Sequence, residues 1–144
     1  MGTKRSLLTD GAGVPLAVTV AGANVNDFKL AAATLEAFAV ERPEPTEDAP
    51  QHLCLDKGYD YDEIRDLIAI WGYTAHIRIK GEEATPMPRI PGYRARRWVV
   101  ERTHSWMNRF RRLLIRWEKQ VENYLALIHL ACAWITCQVA MMFE

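Results

Sequence analysis

An α/β fold is predicted by three observations. Four short apolar or alternating runs read as strands, four longer stretches read as helices, and their order along the chain is β-β-α-β-α-β-loop-α-α. The length, 144 residues, is that of one domain, enough to bury roughly 68–70% of the unfolded surface without a covalent staple. The 49% hydrophobic and 25% charged fractions exclude a disordered chain. Cys54, Cys132 and Cys137 are too few and too scattered for a disulfide framework or a zinc site, so a reduced cytosolic compartment is expected. The first residues lead straight into a strand-like run, and no signal peptide is expected.

The elements follow in order. Residues 5–9 and 14–20 flank Asp10-Gly-Ala-Gly13, whose Asp-Gly pair supplies the positive φ that a hairpin turn needs. Pro15 lacks an amide donor and belongs at a strand start or an edge. An alanine-rich helix over about 28–40 is predicted next, with Asn26 or Asp27 as its N-cap. Residues 41–50 form an acidic loop broken by prolines. Residues 52–55 are a short apolar strand that stops at Asp56. A helix near 61–71 follows, with Asp60 as N-cap and Gly72 as its stop. Residues 73–79 alternate as a strand does, and 81–92, with three prolines, are a loop. Two helices, roughly 94–118 and 120–142, complete the chain. Residues 124–143 carry no charge and are long enough to span a bilayer. Asn123, His129, Thr136 and Gln138 interrupt the apolar run and no basic cluster follows it, which favours a core helix buried on several faces and no membrane partner.

The formal net charge of zero hides an asymmetry. Residues 89–119 hold ten Lys and Arg against two Asp and Glu, while every other stretch of the chain is net acidic. A local excess of this size points to a polyanion, with a solvated basic helix as the alternative. At about 100° per residue, Val99, Trp106, Phe110, Leu113 and Trp117 share one stripe that is expected to face the core. The opposite side groups Glu101 with Arg97, Asn108 and Arg112, and places Arg94 and Ser105 nearby. A carboxylate among arginines is either an ordinary surface ion pair or a metal ligand flanked by phosphate-binding groups. Asp56, at the predicted carboxyl end of a strand, occupies the edge where open α/β sheets bind ligands, though an Asp before Lys-Gly also suits a turn. Two hard cations held by such carboxylates activate an attacking oxygen and steady a leaving oxygen in phosphodiester chemistry. His52, His76, His104 and His129 show no metal-ligand spacing with one another or with the cysteines.

The strings GTKRSLLTDGAGVPLAVTVAGANVND, LCLDKGYDYDEIRDLI and RRWVVERTHSWMNRFRRLLIRWEK, in this order, resemble bacterial insertion-sequence transposases of the DDE class, in the IS-five group. The resemblance covers residues 3 to about 135. It implies an RNase H-like fold and a triad of two aspartates and one glutamate that binds two Mg²⁺ or Mn²⁺ ions at a transposon end. On the matching positions it implies Asp56 as the second aspartate, Glu101 as the glutamate and Arg97 as the arginine that precedes it by one turn. The tyrosine usual three residues before that arginine is Arg94 here, with Tyr93 beside it. The lysine usual seven residues after the glutamate is Asn108, with Arg109 next to it. Asp10 matches a turn aspartate.

The resemblance places the first catalytic aspartate on a strand upstream of Lys4, the central strand of the RNase H-like sheet. The expectation is therefore the carboxy-terminal part of a transposase catalytic domain over 1–144, lacking that first, central strand and inactive alone. An upstream-frame polypeptide would supply the first aspartate. The expected partner is double-stranded DNA at transposon ends, clamped by Arg94, Arg97, Arg109 and Arg112. The complete enzyme is expected to be a homo-oligomer in the bacterial cytoplasm, associated with the nucleoid. The rival reading is a non-catalytic DNA-binding or assembly protein.

Overall fold

The computed structural model describes residues 2–38, 40–77 and 97–142, with only the backbone at Asp27 and Arg97. Two compact units make up the chain, 1–41 with 98–144 and 42–97. The predicted loop at 81–92, the last residues of the strand at 73–79, and Arg94 lie outside the described residues.

In the first unit, β1 (Thr3–Thr9) and β2 (Pro15–Gly22) pair antiparallel, with an irregularity between Leu8 and Thr9. The turn is built by Asp10, whose Oδ1 accepts from the amides of Ala12 and Val14 at 2.8 Å each. The positive φ falls on Gly13, at +86° in the left-handed region open to glycine, and not on the Asp10-Gly11 pair where the sequence predicts it. Pro15 stands at the first position of β2, as its missing amide requires. Helix α1 (Asp27–Glu36) packs on this hairpin and is shorter than predicted. Asn26 is the N-cap: its side chain accepts from the Phe28 amide at 3.1 Å. Loss of that bond in Asn26→Ala is expected to cost about 1 kcal/mol, read as a fall in the denaturant midpoint, with Asn26→Ser close to the parent. The buried Thr34 of α1 lies 2.7 and 2.8 Å from the hydroxyls of Ser6 and Thr19, which ties helix to hairpin.

The predicted helix over 94–118 is two pieces. α3 (Arg97–Met107) ends in tight i→i−3 bonds at Arg109 and Phe110, Phe110 is extended (ψ 105°), and the four-residue α4 (Arg111–Leu114) follows. Helical phase does not account for the break, since at about 100° per residue Val99, Thr103, Met107, Phe110 and Leu113 all fall on one face, and Val99, Thr103, Met107 and Leu113 are buried on either side of it. Trp117, placed on the core stripe by periodicity, lies beyond the break and is 73% exposed. Trp106 and Phe110 are partly buried against the core formed by Val18, Met107, Leu113, Tyr124, Ile128, Ala131 and Ile135.

Helix α5 (Val121–Met141) matches its prediction in extent but not in burial. Only one stripe, Tyr124, Ile128, Ala131, Ile135 and Val139, is buried, and Leu130 and Trp134 are 68% and 58% exposed. By length and composition this is a helix capable of crossing a membrane, with 28% of its most apolar stretch buried. The Tyr124 hydroxyl donates to the Leu113 carbonyl at 3.2 Å, and the Arg116 guanidinium donates to the carbonyls of Glu118 and Lys119, closing the turn before α5.

The second unit is a β-α-β arrangement. β3 (Gln51–Leu55) and β4 (Tyr73–Ile77) pair in parallel, joined through the 3₁₀ turn Lys57–Tyr59 and α2 (Asp62–Ile70). Leu53, Ile64, Ile68 and Ile77 are its buried residues of largest apolar content. Gly72, at φ +74°, stops α2 as predicted. Asp60 does not cap the helix. Tyr61 holds the N-cap position without a side-chain bond, and Asp60 instead pairs with Arg65 at 2.7 Å across the first turn. Arg42 stacks over the Tyr73 ring at 4.2 Å and donates to the Trp71 carbonyl, anchoring the loop that enters β3.

Candidate functional site

Asp56 stands where the sequence predicts, one residue past the end of β3. Its φ of −71° and ψ of 156° continue the extended backbone, and its Oδ1 accepts from the Lys57 amide at 2.7 Å, capping the 3₁₀ turn. The turn-forming role weighed as an alternative is therefore real, and it fixes this carboxylate at the carboxyl end of a parallel strand, exposed to solvent.

Glu101 belongs to the other unit, on α3. The buried residues Val99, Thr103 and Met107 define the inner side of that helix, and Glu101 lies opposite them, exposed. The two residues that follow it hold the helix to the hairpin turn. Thr103, wholly buried, donates from Oγ1 to the Gly13 carbonyl at 2.8 Å and lies 3.1 Å from the Val99 carbonyl. Arg102 donates to the Ala12 carbonyl, and its guanidinium lies between Trp98 and Trp106, 4.7 and 4.8 Å from their ring centroids. These contacts were not visible in the sequence, where Arg102 and Thr103 read only as neighbours of a candidate carboxylate. Periodicity carried part of the signal, because Thr103 falls one turn from Val99 and from Met107.

Of the predicted DNA-contacting residues, Arg109 and Arg112 are exposed, and Arg112 lies 3.4 Å from Glu118. Because the helix breaks, neither continues the Glu101 face of α3. A second basic group was missed. Arg5 of β1 donates to Asn108 at 2.9 Å, Arg116 donates to the Thr3 hydroxyl at 2.8 Å, and with Lys119 they line a cleft of about 550 Å³ beside the exposed Trp117. The signal lay in Lys4-Arg5, basic residues on a strand that the helix-centred charge count passed over.

Burial shifts two groups behind this surface. The Cys132 thiol is pushed up to about 11 by desolvation, against the opposing pull of Arg5, and is an unreactive packing residue. His104 is held below its ordinary range, first by desolvation and then by the positive charge of Arg5. A depressed histidine means that the unfolded chain binds more protons between the folded value and 6.5. Stability is then complete above pH 6.5 and falls as pH drops through that window. Denaturant midpoints across that window are expected to show this loss, and His104→Gln is expected to flatten it.

In the second unit the fold brings two histidines together. His52 and His76 lie on paired strands with Nδ1 and Nε2 2.8 Å apart, a proximity set by register that linear spacing does not reveal. His76 is held below its ordinary range by desolvation and, second, by His52.

Residues 1–136 match the family of transposase DDE domains. A protein of Burkholderia cepacia described as a transposase for insertion sequence element IS402 is 34% identical over 137 residues, which is 93% of this chain and 62% of that protein. One of Brucella ovis described as a transposase for insertion sequence element IS6501 is 28% identical over 138 residues, 94% of this chain and 98% of that protein. No solved structure matches.

Proposed function

Since the chain belongs to the DDE-domain transposases, we propose that Asp56 and Glu101 are two of the three carboxylates that hold a pair of Mg²⁺ or Mn²⁺ ions for DNA transposition. The observation that carries this reading is the pairing of the family match with the position of Asp56, presented to solvent at the carboxyl end of a parallel strand. Both carboxylates are hard oxygen donors, the ligand type such ions take, and exposure leaves room for the waters they retain. The ions, when bound, would activate the attacking oxygen and steady the leaving one. Asp56 and Glu101 would hold them, while Arg94, Arg97, Arg109 and Arg112, with Arg5, Arg116 and Lys119, neutralise backbone phosphates.

The third carboxylate is assigned to a strand outside these 144 residues. Among the described residues the two ladders are each two-stranded. The chain spans 62% of the length of the IS402 protein. The complete enzyme is assigned to the bacterial cytoplasm, on DNA rather than in a membrane, as a homo-oligomer.

The test uses the chain and a reconstituted complete enzyme side by side on double-stranded end DNA. The chain alone is expected to bind without cleaving, and if it neutralises about six phosphates, log K falls against log salt with a slope near −5. Mg²⁺-dependent nicking by the pure chain would show that two carboxylates suffice and overturn the three-carboxylate reading. A flat salt dependence would remove the phosphate clamp.

A further inference from the structure

His52 and His76 serve none of the roles assigned above, and their geometry is specific. Parallel pairing sets Thr74 opposite His52 and His76 opposite Cys54, and side chains alternate along a strand, so both histidines stand on one face of the β3–β4 ladder. Leu53 and Ile77 stand on the other face, buried. The two imidazoles meet edge to edge: Nδ1 of His52 is 2.8 Å from Nε2 of His76, the ring centroids are 4.9 Å apart and the planes cross at 49°.

At this separation one nitrogen carries a hydrogen and donates to the lone pair of the other. When that hydrogen moves to the second nitrogen of its own ring, a change of neutral tautomer with no net charge, two lone pairs face one another across the gap. A zinc-class ion bonds imidazole nitrogen at about 2.0–2.1 Å, so two nitrogens on one ion stand about 3.0 Å apart at a right angle and about 3.4 Å apart at a tetrahedral angle. From 2.8 Å the separation opens by a few tenths of an ångström, and the lone pairs, directed along the N–N line in the hydrogen bond, turn by roughly 40° to one side of it, a reorientation of both rings while the strands stay paired.

We propose that His52 and His76 form a binding site for a divalent transition-metal cation of the zinc or nickel class, which clips β3 to β4. Imidazole selects this class, whereas Mg²⁺ selects the oxygens of carboxylates, so the site is chemically separate from Asp56 four residues further along. Among the described residues no three His, Cys, Asp or Glu side chains gather to hold a metal, and His52 and His76 are the two ligands assigned to this ion. Binding to the folded unit alone stabilises it by linkage and stiffens the strand that ends just before Asp56.

The experiment is a calorimetric titration of the 144-residue chain with ZnCl₂ and with NiCl₂ in excess MgCl₂, followed by imidazole ¹⁵N shifts. One saturable site is expected, with the ring nitrogens of His52 and His76 shifting together and the thermal midpoint rising. His52→Ala, at an exposed position that tolerates truncation, is expected to weaken binding by more than the tenfold or so that loss of an outer-shell partner costs. Cys54→Ser and Asp56→Asn are expected to bind as the parent does. Absence of saturable binding, binding that survives His52→Ala, or binding lost in Cys54→Ser or Asp56→Asn would each overturn the site. None of these outcomes bears on DNA cleavage, so the proposal stands or falls apart from the transposase reading.

Discussion

In the complete transposase, Asp56→Asn and Glu101→Gln are each expected to lower end cleavage and strand transfer by about 10³-fold or more, equivalent to about 4 kcal/mol of transition-state stabilisation. Each substitution keeps the shape of the side chain and removes the charge that holds a divalent ion. Both positions are exposed, Asp56 past the end of β3 and Glu101 opposite the buried side of α3, so little stability is lost with them. The Asp56→Asn amide oxygen still accepts from the Lys57 amide, and the 3₁₀ turn should survive. Binding of end DNA, measured by electrophoretic shift, is expected to stay within a few-fold of the parent, because the proposed phosphate contacts belong to the arginines. Cleavage unchanged with DNA binding intact would favour the rival, a non-catalytic DNA-binding protein.

Gly13→Ala is expected to give the largest stability loss of any single-methyl change in the first unit. Gly13 has φ +86°, where a Cβ is strained, and that Cβ would stand 2.8 Å from Arg102 Nη2 and 3.1 Å from Thr103 Oγ1. Strain of this kind costs about 1–3 kcal/mol, and displacing Thr103 adds the loss of a buried hydrogen bond, about 1 kcal/mol. At this chain length each kcal/mol lowers Tm by about 2–4 °C. Thr103→Val tests the same contact from the other side. It removes the bond to the Gly13 carbonyl at nearly constant volume, with an expected cost of about 1–3 kcal/mol. A Gly13→Ala protein as stable as the parent would show that the turn and α3 do not press on one another.

Local chemistry made much of this fold legible. Asp10, through its side chain, and Gly13, through its positive φ, wrote the hairpin, Asn26 wrote the start of α1, and Gly72 wrote the end of α2, because turns and caps depend on residues a few positions apart. The positions of Asp56 and Glu101 in the fold were legible for the same reason, one from a strand that stops at an Asp and the other from helical phase. What failed depended on distant partners. A helical wheel drawn through 94–118 placed Phe110 and Leu113 correctly against the core but could not show the break between α3 and α4, beyond which Trp117 is exposed. Asp60 was assigned as a cap from its position, but Arg65 in the next turn competes for it. The facing of His52 and His76 depends on parallel register, and the meeting of Arg5 with Asn108 spans 103 residues of sequence.

The most direct test of the metal-binding role replaces each carboxylate by a thiol in the complete enzyme and compares ions. Mg²⁺ binds sulfur poorly and Mn²⁺ tolerates it better, so a cysteine at a true ligand position changes the ion requirement. Asp56→Cys and Glu101→Cys are predicted to be inactive in Mg²⁺ and to regain cleavage of end DNA in Mn²⁺. Full activity of either variant in Mg²⁺ would contradict a ligand role for that residue, and with it the two-ion site proposed for this protein.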